Sequence, residues 1–178
     1  YSVYQTNIAF SICDGDSLQL PGGSFVFSSG IYVDTLSTIA GCDSIVVTDL
    51  TVFPALAVDA GNDTLICFGD TISLLAVDSG GLGPFGFAWS PNVNISDVTV
   101  ANPLVWPMSL TTYEVTMTDA NGCFATDSVT VDVNPELLVD AGNDTLICFG
   151  DTAQLNGSAN GGTAPYSYFW TPIGTLSD

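Results

Sequence analysis

The chain has 178 residues, a mean hydropathy of +0.43 and nineteen acidic groups against no Lys, Arg or His, for a formal net charge of −19. A surface of one negative sign repels phosphate and carries no basic patch to release counterions, which excludes nucleic-acid partners; no apolar run approaches the roughly 20 residues of a membrane-spanning helix, which argues against membrane insertion. Without His or Lys there is no ordinary base to activate a Ser, Thr or Cys nucleophile, and no carboxylate pair stands out for glycoside hydrolysis, so the chain is expected not to be an enzyme.

Every formal side-chain charge comes from seventeen Asp and from Glu114 and Glu136, so no ion pair can form between side chains. The carboxylates must be satisfied by backbone N–H groups in turns, by water or by bound cations.

From the N-terminus, residues after Tyr1 lack the basic start and apolar block of a secretion signal, so the stretch is expected to be mature or excised chain. Next comes ICDGDSLQL (Ile12 to Leu20), which matches ICFGDTISL (Ile66 to Leu74) and ICFGDTAQL (Ile147 to Leu155). The longer string AGNDTLICFGDT occurs at Ala60 and again at Ala141, a period of 141 − 60 = 81 residues, and the same offset carries Pro54 onto Pro135 and Trp89 onto Trp170. Self-similarity in that register marks tandem modules. We therefore expect three: a short disulfide-containing β module at residues 1–54, a complete module at 55–135 and an incomplete one at 136–178.

Two cysteines in each of the first two modules and one in the third, in small β units with neither a CxxC pair nor a histidine, point to disulfides in an oxidising, extracellular setting and away from zinc. The expected pairs are Cys13–Cys42 and Cys67–Cys123. Cys148 is expected to be unpaired within this segment, because by the repeat its partner falls at 123 + 81 = 204.

Within the middle module ALAVDA opens a strand, TISLLAV follows the cysteine turn, and FGFAW puts Phe85, Phe87 and Trp89 on one face, as Tyr166, Tyr168 and Trp170 do in the third. In TYEVTMTDANGCFATDSVTVDV, Tyr113, Val115 and Met117 alternate with polar residues, Asn121-Gly122 turns the chain, and Val129, Val131 and Val133 return it. No segment carries a 3.6-residue apolar period. The fold class expected is all-β, with tandem immunoglobulin-like antiparallel β-sandwiches. The third module's aromatic face would need covering, either by chain continuing past Asp178 or by a strand such as Tyr1 to Phe10 inserted from a neighbouring copy.

Taken together, AGNDTLICFGDT, FAWSPN and TTYEVTMTDANGCFATDSVTVDVNP resemble the PKD-like (polycystic-kidney-disease-like) and immunoglobulin-like repeats of giant secreted surface proteins of Bacteroidota, and SGIYVDTLSTIAGCDSIVVTDLTV is similar to the shorter cysteine-containing repeats of the same proteins. Trp89-Ser90-Pro91 stands where the PKD pattern has WDFGDG. The resemblance implies secretion, commonly by the type IX route, a cell-surface location and roles in adhesion, gliding or extracellular fibres. It also implies O-glycosylation at Asp-Ser/Thr-apolar triplets, with Ser17, Thr35, Ser44, Thr64, Thr71, Ser128, Thr145 and Thr152 as candidates.

The one cofactor the residues suggest is structural Ca²⁺: Asp59, Asn62 and Asp63, repeated as Asp140, Asn143 and Asp144, place hard oxygen donors at each module junction. Asx turns and caps would use the same residues. Partners expected are neighbouring modules or copies of the same chain. In an adhesin reading, glycans or a host surface would meet exposed aromatics such as Trp106, between Pro103 and Pro107, or Phe85.

Overall fold

The computed structural model describes residues 4–37 and 43–172, all in strands, turns and loops. The fold is all-β and immunoglobulin-like. Residues 4–52 form β1 (Tyr4–Ile12), β2 (Leu18–Gln19), β3 (Phe25–Val26), β4 (Gly30–Ser37) and β5 (Asp43–Val52). Along β4 the side chains alternate between half-buried and exposed, as a strand with one covered face requires. The sheet order is β1-β5-β4, with β2 and β3 forming a separate hairpin. Leu50 and Thr48 of β5 are fully buried.

Residues 56–134 hold β6 (Leu56–Asp59), β7 (Thr64–Cys67), β8 (Ile72–Ser73), β9 (Val77–Gly80), β10 (Gly86–Ser90), β11 (Leu104–Val105), β12 (Thr111–Thr118) and β13 (Phe124–Asn134). A four-stranded sheet, β10-β12-β13-β7, is accompanied by the pairs β6-β9 and β8-β11. The core gathers Ile66, Leu74, Trp89, Ile95, Val105, Tyr113, Val115, Val129 and Val131. Each buried aliphatic or aromatic side chain there contributes about 1.5–3 kcal/mol. The two large aromatics keep their polar ends satisfied: Trp89 Nε1–H donates to the Val100 carbonyl at 2.9 Å, and the Tyr113 hydroxyl to the Val93 carbonyl at 3.1 Å. Tyr32 repeats the second arrangement in the first module, donating to the Ser28 carbonyl at 2.7 Å.

Most pairings are antiparallel, as the alternation predicted, including the long hairpin β12-β13, but two are parallel: β1 with β5 and β13 with β7. A parallel pair needs a long crossover. Here the intervening strands of each module supply it, bringing the strand that leads into the front cysteine turn alongside the last strand. The registers correspond, Ile12 facing Val52 and Ile66 facing Val133. Because Tyr4–Ile12 is paired along its whole length within its own sheet, it is already used and is not a free strand for insertion elsewhere.

After Pro135 the described residues form only β14 (Leu138–Asp140) and β15 (Ser158–Asn160), paired with each other. Tyr166 and Tyr168 are exposed and lie outside any strand, so the aromatic face expected there is not built into a sheet.

Candidate functional site

The junction between the first two modules is where sequence-distant chemistry meets. β12 and β13 close at the pair Thr118 and Phe124, leaving Asp119–Cys123 as the turn. Gly122 takes φ +85°, and its N–H donates to the Asp119 carbonyl at 3.1 Å. The buried Asp119 carboxylate accepts the N–H groups of Asn121 at 2.8 Å, Cys123 at 3.0 Å and Leu82 at 3.1 Å. Burial pushes this carboxyl up, but the hydrogen bonds from Leu82, Cys123 and Asn121 outweigh it and hold it below the ordinary carboxylate value. The Ala120 N–H also donates to the Leu82 carbonyl at 2.8 Å, and Gly81 N–H to the Ala55 carbonyl at 3.2 Å, so turn, bend and linker form one hydrogen-bonded unit.

Cys13 sits against that unit, joined to Cys123 with Cα atoms 5.6 Å apart. This corrects the expected pairs. Cys13 is not available to Cys42, which itself lies outside the described residues. Cys67 cannot reach Cys123 because β7 ends with Cys67 beside Asn134, whereas Cys123 precedes the other end of β13. Ten residues of strand at ~3.3 Å separate Phe124 from Asn134, about 33 Å where a disulfide tolerates at most about 7 Å between Cα atoms. Cys67 and Cys148 are free and exposed. Cysteine spacing does not reveal this, because Cys67 and Cys123 sit at opposite ends of the parallel pair β7-β13 and only the pairing direction shows it.

The carboxylates go largely to backbone N–H groups. Asp63 accepts the Thr130 N–H at 2.7 Å and Asp127 accepts the Ala60 N–H at 2.8 Å, two reciprocal ties that fasten the β6-β7 loop to β13. Asp59 closes an Asx turn on Gly61 at 2.8 Å, and Asp140 does the same on Gly142 at 2.8 Å. Asp97 is held below the ordinary carboxylate value by the Thr99 hydroxyl and then the Thr99 N–H. Asn62, Asn143 and Asp144 are exposed. Among the described residues no group of three or more acidic or cysteine side chains gathers where it could hold a metal ion.

The remaining candidates are surface positions. Ser17, Thr35, Thr64, Thr71, Ser128, Thr145 and Thr152 are exposed and Ser44 half-buried. Trp106 is 38% exposed between the buried Pro103 and Pro107, its N–H held by the Asn94 carbonyl at 2.9 Å, while Phe85 is half-buried. No helix among the described residues is long and apolar enough to cross a membrane.

No family model and no curated protein matches the sequence. Solved structures with a similar arrangement include the N-terminal eight Ig domains of Down Syndrome Cell Adhesion Molecule, 16% identical over 84% of this chain and 25% of that one, with a TM-score of 0.45. Immunoglobulin domains 1–4 of Sidekick-1 are 11% identical over 78% and 52%, TM-score 0.37, and Drosophila N-cadherin EC1-4 is 7% identical over 64% and 35%, TM-score 0.39. This chain thus spans between a quarter and about half of the length of those structures, and the likeness is one of fold alone.

Proposed function

We propose that the chain is a non-catalytic structural segment of an extracellular surface fibre or adhesin stalk, built from modules at residues 1–54, 55–135 and 136–178, giving length and multivalent display. The observation that carries the reading is the covalent tie between successive units, Cys13 to Cys123, which stiffens a joint and fits an oxidising exterior. The uniform negative charge supports it, since repelling surfaces keep a long repeat array extended and soluble. In this reading the Asp-Ser/Thr-apolar sites carry O-glycans, the source is a bacterium of the Bacteroidota type, and secretion follows the type IX route. Antibody against residues 55–135 should label intact, unpermeabilised cells of the source along extended fibres. Labelling only after permeabilisation would refute the proposal.

A second reading is favoured by Trp106, a large aromatic 38% exposed in a segment flanked by the buried Pro103 and Pro107: a glycan- or surface-binding adhesin module. Binding on a glycan array that is lost in Trp106→Ala would establish it; an inert array would remove it.

A further inference from the structure

The first joint is built a second time. Pro54 recurs as Pro135, and Gly80 packs on the Ala55 carbonyl as Gly161 packs on that of Glu136. Gly81 then approaches the Leu56 side chain as Gly162 approaches that of Leu137, too close in both bends for larger residues to fit without rearrangement. The cysteine turns are also the same: the carbonyls of Cys13, Cys67 and Cys148 accept the N–H groups of Asp16, Asp70 and Asp151 at 3.1, 3.1 and 3.0 Å. At the first joint, the Asp119–Cys123 turn rests on the bend at Leu82 and bonds Cys13. At the second joint the corresponding place is an open cavity of about 510 Å³ lined by Cys67, Phe68, Asn134, Pro135, Leu137 and Thr163.

The half-built module beyond that cavity exposes its own core. Ile147 is 49% and Leu155 45% exposed, where the corresponding Ile66 and Leu74 are 7% and 4%. In the middle module, β12 and β13 supply much of the sheet over these positions.

We propose that Cys67 is one half of a second inter-module disulfide, its partner the turn cysteine of a β12-β13-type hairpin completing the module begun by β14 and β15. The front cysteine of each module would then be bonded to the turn cysteine of the next. A second copy of this chain cannot supply that partner from its middle module, because Cys123 is already bonded to Cys13. The occupant is instead a further hairpin of the same polypeptide, whose cysteine falls at 123 + 81 = 204 in repeat register. Bond formation is a thiol–disulfide exchange: one cysteine thiolate attacks oxidised glutathione and releases one glutathione thiolate, the second cysteine thiolate attacks the protein sulfur of the mixed disulfide and releases the other, and the two glutathiones take up the two protons the cysteines lost.

The inference rests on the modular reading, and disulfide mapping separates the two. Protein isolated from its source at full length, alkylated without reduction and cut with an Asp-directed protease, should yield Cys13 joined to Cys123 and Cys67 joined to a Gly-Cys turn peptide absent from residues 1–178. Cys67 joined to Cys123 or Cys148 would overturn both the modules and the second bond; Cys67 recovered as a free thiol would overturn the second bond alone. A recombinant arm copies residues 98–134 directly after Asp178, which stands 178 − 97 = 81 residues after Asp97. In glutathione buffer Cys67 should lose its reaction with maleimide and regain it when the copied cysteine is replaced by serine. Persistent reaction of Cys67 beside a protected copied hairpin would refute the proposal.

Discussion

Replacing Cys13 or Cys123 by serine should destabilise the middle module far more than replacing Cys67, although all three belong to the same repeat signature. When the middle module unfolds while the first stays folded, the Phe53 N–H still holds the Ile12 carbonyl at 2.9 Å beside Cys13, so the loop closed by the disulfide runs from 53 to 123, or 123 − 53 = 70 residues. The chain-entropy relation then gives about 15 cal/mol/K, about 4.4 kcal/mol at 25 °C. A module of this size unfolds with an entropy on the order of 170 cal/mol/K, so the middle transition should fall by on the order of 20 °C. Calorimetry of residues 1–178, which lack the cysteine proposed to bond Cys67, as wild type, Cys13→Ser, Cys123→Ser and Cys67→Ser under non-reducing conditions reads the effect directly. The exposed, unbonded Cys67 predicts no more than about 0.5 kcal/mol of change. If Cys67→Ser lowers the transition as much as Cys123→Ser, or Cys13→Ser leaves it in place, the inter-module bond is wrong.

Thr48→Val should stabilise the first module by about 1 kcal/mol, because the buried Thr48 hydroxyl has no hydrogen-bond partner among the described residues; an unchanged or lower midpoint in urea would contradict that. Tyr113→Phe should cost the middle module about 1–2 kcal/mol by leaving the Val93 carbonyl without its donor, measured by the same titration. The Asp119 carboxyl is held low in the fold, so its contribution is present above the carboxylate value of the unfolded chain and disappears as pH falls through the lower folded value; Asp119→Asn should flatten that part of the acid-unfolding profile. At equal ionic strength, EDTA and millimolar Ca²⁺ should give the same melting midpoint for the middle module, since Asp59 and Asp63 serve separate backbone N–H groups; a calcium-specific rise of several degrees would instead establish a metal site there.

Alternation in TYEVTMT, the Asn-Gly turn and the 81-residue offset made the β12-β13 hairpin and the fold class readable, because period-2 burial and turn chemistry are local. The fate of Asp63 was hidden for the opposite reason: its partner, Thr130, lies 67 residues away. The same holds for the cysteines, whose pairing depends on β7 lying parallel to β13, a choice settled by long-range packing of the crossover. Period-2 alternation puts Trp89 and Tyr113 on shared strand faces, and both are buried in the core, but no such pattern marks Asp119. Its flanking Asn121-Gly122 announces a turn, and nothing local announces that Leu82 will complete the carboxylate's shell.

The parallel partnership of first and last strand has a mechanical consequence. Were the Cys13–Cys123 bond reduced, tension applied through the chain ends would drag β1 and β5, or β7 and β13, past one another lengthwise, so the rungs of each ladder would bear the load together. With Cys13 bolted to Cys123, force travelling up β1 passes across the sulfurs into β13 and skips the 123 − 13 − 1 = 109 residues between them. At ~3.4 Å per extended residue that is roughly 370 Å of slack that stays locked even if both modules come apart.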